Sequence, residues 1–298
     1  MQPSELPVWR SMLFVPATAE RFVEKAHLRG ADALIIDLED AVAASEKPRA
    51  RTLVAEVAAR VGRAGADVLV RVNRPWRMLV ADLEASVIPG ICGLLLPKIE
   101  SADHLSFVDE IVDELEAERG IEAGSIRYMV LIETARGFHN VREIAAGSPR
   151  VCALTLGGED FGQVIGMPEV HPDAMMGFMQ QVQVAAREAG ILAQGYPGSI
   201  GNFSDLEAYR QDIRRARQYG FDGGGCIHPA QVAILNEEFG PSAAEIEHAE
   251  ALVDVYDRAL AAGEGAVSFK GKMIDVPVAE RARRVLALRD RIQARAAR

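Results

Sequence analysis

Residues 128–140 read YMVLIETARGFHN and place an apolar run directly before a carboxylate. The run from Tyr128 to Ile132 is typical of a strand that is covered on both faces in a parallel sheet. Glu133 follows at the end of the run, where an isolated charge is costly unless a partner or a metal stabilises it. The stretch therefore predicts a buried parallel strand that ends on a stabilised carboxylate.

Runs of the same kind recur along the chain and alternate with helical patterns. Eight strands are predicted, at residues 11–17, 33–37, 68–72, 93–97, 128–132, 151–156, 191–195 and 224–228. Between them, residues 51–62 and 137–146 carry apolar side chains at helical spacing. Eight β–α units in about 240 residues favour an α/β fold of the (β/α)₈ barrel type, which we assign to residues 8–240. No GxGxxG follows the first strand, which disfavours a doubly wound dinucleotide-binding sheet.

Helix-start signals mark the later part of the chain. Ser204 and Glu207 form a capping-box signature before one predicted helix, and Ser242 and Glu245 form another. The second signature opens a tail that is surplus to the barrel and continues into a basic helix. We expect residues 241–298 to form a helical lid or arm.

Composition and charge restrict the possible partners. The 298 residues are 49% hydrophobic and 26% charged, with a formal net charge of −10, which argues against nucleic acid as a partner. No run approaches the roughly 20 apolar residues of a membrane span. The first residues, MQPSELPVWRS, lack the basic and apolar regions of a signal peptide. The three cysteines show no CxxC spacing, so we expect reduced thiols in a cytoplasmic protein.

Charged residues collect where the predicted strands end. They are Asp37, Glu39 and Asp40 after the second strand, Arg71 at the third, Lys98 and Glu100 after the fourth, Glu133 after the fifth, Glu159 and Asp160 after the sixth, and His228 at the eighth. The active site of a (β/α)₈ barrel lies at this end of the strands. Acidic helix caps are an alternative explanation for Asp40 and Glu100.

Glu133 and Asp160 form the most informative pair, because they end neighbouring strands. Two carboxylates with water suit Mg²⁺, whereas zinc is disfavoured because no histidine pair lies near. The alternative is a structural ion pair of Glu133 with Arg136 or Arg71. Arg71 itself could instead bind a substrate carboxylate or an enolate oxygen. We interpret His228 as a rim residue rather than a catalytic base.

Eight motifs occur in a specific order along the chain. They are RSMLFVPATAERFVEKA (10–26), ADALIIDLEDAVAASEKPRAR (31–51), VRVN (70–73), LLLPKIES (94–101), LIETARG (131–137), GGEDF (157–161), IHPAQV (227–232) and GKMIDVP (271–277). Together they resemble the citrate lyase β-subunit-like family of the HpcH/HpaI aldolase/citrate lyase superfamily, which includes malyl-CoA and citramalyl-CoA lyases. The resemblance extends from about residue 10 to about residue 282.

The resemblance implies a barrel with a C-terminal lid and Mg²⁺-dependent, reversible cleavage of a β-hydroxyacyl thioester into acetyl-CoA and an oxo acid. It implies that Glu133 and Asp160 bind the metal and that Arg71 binds substrate and assists catalysis. The catalytic aspartate of the lid falls on Asp275. In such enzymes the lid closes over a neighbouring subunit, so Asp275 is expected to act in trans within a homotrimer.

The remaining candidate residues surround this centre. By resemblance, Phe14 and Lys25 hold the CoA part, and Ile227 and His228 are further substrate-binding candidates. Asp37 and Glu39 are expected to support Arg71 or metal-bound water.

Three alternative functions stay open. One is a citrate lyase β subunit that cleaves citryl-acyl-carrier-protein within a complex, and another is a thioesterase or malate-synthase-like activity. The third is a catalytically silent scaffold, which is disfavoured because Arg71, Glu133, Asp160 and Asp275 are all present.

Overall fold

The computed structural model describes residues 6–201 and 203–296, which form two compact units. One unit extends to Asn236 and the other begins at Glu237. This division falls inside a helix, a few residues before the boundary at 240 that the sequence suggests. The first unit contains the barrel strands, and the second contains two long helices and a hairpin.

Eight parallel strands and their helices make up the first unit. The strands are β1 (Ser11–Pro16), β2 (Ala33–Asp37), β3 (Asp67–Arg71), β4 (Gly93–Leu96), β5 (Arg127–Ile132), β6 (Val151–Leu156), β7 (Leu192–Gln194) and β8 (Gly224–Cys226). The helices are α1 (Glu20–Ala26), α2 (Lys47–Val61), α3 (Trp76–Ser86), α4 (Ala102–Arg119), α5 (Ala135–His139), α6 (Val141–Ala145), α7 (Gly158–Val164), α8 (Pro172–Ala189), α9 (Leu206–Gln218) and α10 (Pro229–Phe239).

Each strand pairs in parallel with its neighbour, in the order β7-β6-β5-β4-β3-β2-β1-β8. An isolated bridge between Gln194 and Gly223 links the two edges of this sheet. The amide of Gly195 donates to the Gly223 carbonyl at 2.8 Å, and the amide of Asp222 donates to the Ala193 carbonyl at 2.9 Å. The predicted (β/α)₈ barrel is confirmed, although its last two strands are shorter than the sequence suggests.

The barrel interior is filled by apolar side chains from seven of the strands. They include Met12, Ile35, Leu69, Leu95, Met129, Ala153 and Leu192, all of them buried. Strands covered on both faces need this continuous apolar pattern, which is why the pattern identified them. The packed interior leaves the carboxyl ends of the strands as the place for polar chemistry.

Two helix predictions differ from the structure. Residues 137–146 were expected to form one helix, but α5 and α6 separate at Asn140, whose side-chain amide donates to the Glu100 carbonyl at 2.8 Å. That bond fixes the break against the preceding loop. Asp205, not Ser204, caps α9 by accepting from the Ala208 amide at 3.0 Å.

The second unit comprises α11 (Ala243–Ala261), a short antiparallel hairpin of β9 (Val267–Phe269) and β10 (Lys272–Ile274), and α12 (Val276–Ala296). The predicted capping box of Ser242 and Glu245 is confirmed at the start of α11. Leu252, Tyr256 and Ile274 belong to one apolar cluster that joins both helices to the hairpin. In the described part of the chain, no helix is both long enough and apolar enough to cross a membrane.

Candidate active site

A cavity of about 880 Å³ opens at the carboxyl ends of the barrel strands. The predicted site residues that line it are Phe14, Asp37, Arg71, Glu133, Asp160, Ile227 and His228. Lys25 is exposed on α1, whereas Arg21 and Phe22 of α1 line the cavity together with Arg29, which follows the helix. The barrel therefore brings most of the sequence-predicted residues of the first unit to one opening.

Glu133 is buried at the end of β5, with 3% of its surface exposed. Its Oε2 accepts a hydrogen bond from the backbone amide of Lys98 at 3.0 Å. Gly157 leaves room for it, because a Cβ at that position would lie 2.4 Å from Glu133 Cγ. Burial raises the pKa of Glu133 to about 8, although the nearby positive charge of Lys98 acts to lower it. The ionised form is therefore disfavoured even with Lys98 nearby, and a more strongly interacting cation is needed to stabilise it.

Lys98 provides a cation between three carboxylates, and the sequence interpretation assigned it no role. Its Nζ lies 3.2 Å from Glu39 Oε1, 3.7 Å from Asp160 Oδ1 and 3.9 Å from Glu133 Oε2. The carboxylates outweigh the effect of burial and raise the pKa of Lys98. The ion pair considered for Glu133 with Arg136 or Arg71 is thus made with Lys98. The position of Lys98 in LLLPKIES, directly after the fourth strand, was the sequence feature that could have pointed to this role.

Arg71 ends β3 and is fixed by Asp37. Its Nε and Nη2 donate to the two Asp37 oxygens at 2.8 and 2.6 Å, and its Nη1 lies 3.0 Å from Glu39 Oε2. The guanidinium carbon lies 4.9 Å from the centre of the Phe14 ring. Burial disfavours this charge, but the facing acids outweigh that effect and raise the pKa of Arg71. The result is a permanently charged, rigid fork at the cavity wall.

A second lysine holds the loop that carries Glu39. Lys47 Nζ donates to the carbonyls of Leu38 and Glu39 at 2.9 and 2.8 Å, and to Asn73 Oδ1 at 2.7 Å. Asn73 is fixed in turn by Asp82, which accepts from its side-chain amide at 2.7 Å. Lys47 and Asn73 are 26 positions apart in the sequence, so no local pattern predicted their contact.

Ile227 and His228 form part of the rim. The His228 ring stacks on Phe203 with centroids 5.1 Å apart and an interplanar angle of 14°. The amides of Ile227 and His228 both donate to Gln231 Oε1, at 3.1 and 3.0 Å. His228 Nδ1 accepts from the Ala230 amide at 3.2 Å, which favours a rim role over that of a general base.

Asp275 belongs to the second unit and lies between β10 and α12. It is half-buried, and its Oδ1 accepts from the Val278 amide at 3.4 Å, at the first turn of α12. The carboxylate is held by one long hydrogen bond at that turn. Its predicted catalytic role stays a prediction.

The donor set at the mouth of the barrel fits Mg²⁺. The carboxylates of Glu133 and Asp160 converge on the position of the Lys98 ammonium, which shows that a cation is stable there. Among the described residues, no group of three or more His, Cys, Asp or Glu side chains is arranged to enclose a metal. A pair of carboxylates leaves coordination positions for water and substrate oxygens, as Mg²⁺ prefers.

Known proteins resemble this chain in sequence and in fold. The citrate lyase subunit beta of Leuconostoc mesenteroides subsp. cremoris is 33% identical over 282 residues, which are 94% of this chain and 92% of that protein. The L-malyl-CoA/beta-methylmalyl-CoA lyase of Rhodobacter capsulatus is 33% identical over 296 residues and covers 92% of each chain.

A solved structure and a family profile agree with these relatives. The structure of CitE from Mycobacterium tuberculosis, in complex with magnesium, acetoacetate and coenzyme A, is 27% identical and superposes with a TM-score of 0.73, over 99% of this chain and 100% of that one. The profile described as HpcH/HpaI aldolase/citrate lyase matches residues 10–229. With this match over most of its length, the chain belongs to the HpcH/HpaI aldolase/citrate lyase family.

Proposed function

We propose that this protein is a Mg²⁺-dependent carbon–carbon lyase that reversibly cleaves a β-hydroxyacyl thioester, such as malyl-CoA or citramalyl-CoA, into acetyl-CoA and an oxo acid. The observation that carries the proposal is the convergence of Glu133 and Asp160 on one cation position at the cavity mouth. Arg71 lines the same cavity and supplies a second fixed positive charge. Membership of the family, with a malyl-CoA lyase among its relatives, supports this substrate class.

The residues of the barrel hold and polarise the substrate. Glu133 and Asp160 would hold Mg²⁺, whose contribution when bound is Lewis acidity toward the hydroxyl and carboxylate oxygens of the substrate. Arg71, fixed in its orientation by Asp37, offers its guanidinium to negative charge on the oxo-acid or enolate oxygen. Glu39 contacts both Arg71 and Lys98 and so pairs with the two positive charges of the site.

Cleavage then needs a proton at the acetyl carbon. The substrate hydroxyl gives up its proton to solvent water as its carbon becomes the carbonyl of the oxo acid, and the bonding electrons of the C–C bond move into the thioester enolate. Asp275 protonates the enolate carbon, and in the condensing direction it removes a proton from the acetyl methyl group.

We further propose that Asp275 acts on the barrel of a neighbouring subunit in a homotrimer. Mixing Asp275→Asn subunits with Glu133→Gln subunits tests this directly. In a mixed trimer, one site combines an intact Glu133 with the Asp275 of its neighbour, so activity returns. Activity that stays absent after subunit exchange, with trimers confirmed by light scattering, contradicts action in trans.

The thioester carrier is proposed to bind at the rim near α1. Phe14 lines the cavity next to Arg71, and Arg21 and Arg29 add positive charge to the same opening, which suits the phosphates of CoA. Lys25, exposed on the same helix, is kept as a candidate for the outer part of the carrier. Arg21→Ala should raise the KM for a CoA thioester more than it lowers kcat.

A carrier-protein thioester is the second candidate substrate, favoured by the 33% identity to a citrate lyase subunit beta. Recovery of partner subunits with the tagged protein, together with cleavage of citryl-carrier only, would favour that alternative. A thioesterase or malate-synthase-like reaction releases free CoA instead of acetyl-CoA, so product analysis separates it from a lyase.

A cytoplasmic location is part of the proposal and rests on the cysteines. Cys152 and Cys226 are buried thiols outside any disulfide, and burial raises the pKa of both, which makes them unreactive. Thiols without disulfide partners are usual in a reducing compartment. Fractionation of cells that express the tagged chain checks the location.

The decisive test is turnover of malyl-CoA and citramalyl-CoA by the purified protein with and without Mg²⁺. We expect wild-type turnover to require the metal. Glu133→Gln and Asp160→Asn should abolish turnover while far-UV circular dichroism stays that of a folded barrel. Unchanged turnover in both variants would contradict the assignment of the metal site.

A further inference from the structure

Lys98 places an ammonium among the very carboxylates to which the proposed function assigns Mg²⁺. We propose that Lys98 is an internal counter-cation, which occupies this carboxylate site in the metal-free protein and withdraws when Mg²⁺ binds. It would thereby keep the site assembled without metal and set the affinity for the metal. The inference rests on the proposed metal site and goes beyond it, because it assigns a role to a residue that is not a ligand.

The backbone of Lys98 is fixed at both ends. Its amide donates to Glu133 Oε2 at 3.0 Å, and its carbonyl accepts from Arg74 Nε at 3.0 Å. The residue also has a φ of +53°, a conformation that side chains other than glycine seldom adopt. The side chain is nevertheless 31% exposed, so it is not fully enclosed and can change conformation while the backbone stays in place.

The three carboxylate contacts of Lys98 are unequal in length. Its Nζ is within hydrogen-bond distance of Glu39, at 3.2 Å, but lies 3.7 Å from Asp160 and 3.9 Å from Glu133. The two proposed metal ligands therefore have the longer, purely electrostatic contacts. A short movement toward Glu39 releases both ligands and keeps the ammonium paired.

Electrostatics favours one cation at this position but disfavours two at once. Ionised carboxylates that lie close together repel one another, and the Lys98 ammonium between Glu39, Asp160 and Glu133 offsets part of that repulsion before metal arrives. An ammonium and a divalent ion a few ångströms apart repel strongly in a partly buried site. Mg²⁺ must therefore displace the ammonium, and part of its binding free energy is lost in doing so.

This competition predicts an effect opposite to that of a supporting residue. If Lys98 only helped to build the site, removing its charge would weaken Mg²⁺ binding. If Lys98 competes with the metal, removing its charge strengthens binding and makes the stability of the fold depend more on Mg²⁺. The sign of one measured change therefore decides between the two roles.

Calorimetric titration of Mg²⁺ into EDTA-treated, dialysed protein measures that sign, with thermal unfolding in EDTA and in Mg²⁺ as an independent readout. Lys98→Met should bind Mg²⁺ at least about tenfold more tightly than wild type, about 1.4 kcal/mol. It should melt at a lower temperature in EDTA and gain more from Mg²⁺ than wild type does. If Lys98→Met does not fold, Lys98→Gln takes its place in the test. It keeps a hydrogen-bond donor toward Glu39 without the charge and should bind Mg²⁺ more tightly by the same factor.

Two control variants complete the test. Lys98→Arg keeps the charge and should bind Mg²⁺ as weakly as wild type, and Arg142→Gln removes an equal charge from an exposed pair with Glu188 and should change nothing. Equal or weaker Mg²⁺ binding by both neutral Lys98 variants overturns the inference. Wild-type Mg²⁺ binding by Glu133→Gln would instead show that the proposed metal site is wrong.

Discussion

Replacing Gly157 with alanine would place a methyl carbon in the space that the Glu133 side chain occupies. The added Cβ would lie 2.4 Å from Glu133 Cγ, 2.6 Å from Oε1 and 2.9 Å from Cδ. Non-bonded carbons normally approach to about 3.5 Å, so the carboxylate must move by about 1 Å. Gly157 has an ordinary negative φ of −77°, so alanine introduces no backbone strain and the clash alone is tested.

The expected magnitude follows from that displacement. Misplacing a reacting group by about 1 Å costs roughly 100-fold in rate, which corresponds to about 2.7 kcal/mol of transition-state stabilisation. We expect Gly157→Ala to lower kcat about 100-fold and to weaken Mg²⁺ binding, because both depend on where Glu133 lies. The displaced side chain also loses its 3.0 Å hydrogen bond from the Lys98 amide.

The neighbouring glycine supplies a matched control. An alanine Cβ at Gly158 would have its nearest contact at 3.7 Å, with Met175 Cε, which is ordinary van der Waals distance. Gly158→Ala should therefore keep wild-type turnover and Mg²⁺ affinity. Steady-state kinetics and calorimetry on both variants make the comparison. A Gly157→Ala protein with wild-type kcat and Mg²⁺ affinity would refute the reasoning that Glu133 must lie where the structure has it.

Three further predictions concern the charges of the site. Arg71→Lys keeps the positive charge but loses the paired bonds to Asp37 at 2.8 and 2.6 Å, so kcat should fall at least about tenfold with an unchanged circular dichroism spectrum; wild-type kinetics would contradict the need for a fixed fork. In the metal-free protein, burial raises the pKa of Glu133 from 4.5 to about 8, so the folded state retains a proton that the unfolded chain releases. The contribution of Glu133 to the free energy of unfolding in EDTA should therefore be highest below about pH 4.5 and should fall by roughly 4 kcal/mol up to about pH 8. Glu133→Gln should remove this fall; if urea titrations gave the variant and wild type the same pH profile, the pKa of Glu133 would not be raised in the folded protein. Lys47→Met leaves the Glu39 carbonyl without its 2.8 Å donor and should lower the free energy of unfolding by about 2 kcal/mol; an unchanged urea midpoint would show that the loop is held by other contacts.

The sequence predicted the barrel well because its strands are covered on both faces. Runs such as ALIID and GLLL are buried at every position, as expected of short strands in a sheet covered on both sides. The same logic placed Glu133, Asp160 and Arg71 at one end of the barrel, because parallel strands present their carboxyl ends on the same side. The cavity that these residues line is the consequence.

Contacts between distant loops were not predictable in the same way. Lys98 looked like one more charge after a strand, and only the fold brings Glu39, Glu133 and Asp160 around its ammonium. The break between α5 and α6 likewise depends on a side-chain bond from Asn140 to the Glu100 carbonyl, which no local periodicity reveals. Patterns of period 2 and 3.6 report burial, whereas the site depends on individual polar contacts made across the fold.

The central claim is that the protein breaks a carbon–carbon bond, and the products of one reaction test it most directly. Purified protein is incubated with malyl-CoA or citramalyl-CoA and Mg²⁺, and the oxo acid, acetyl-CoA and free CoA are measured by liquid chromatography and mass spectrometry. We predict equal amounts of oxo acid and acetyl-CoA, formed only with Mg²⁺ and not by Glu133→Gln. Free CoA with the intact hydroxy acid, or no product from either thioester by metal-loaded, folded protein, would contradict the claim.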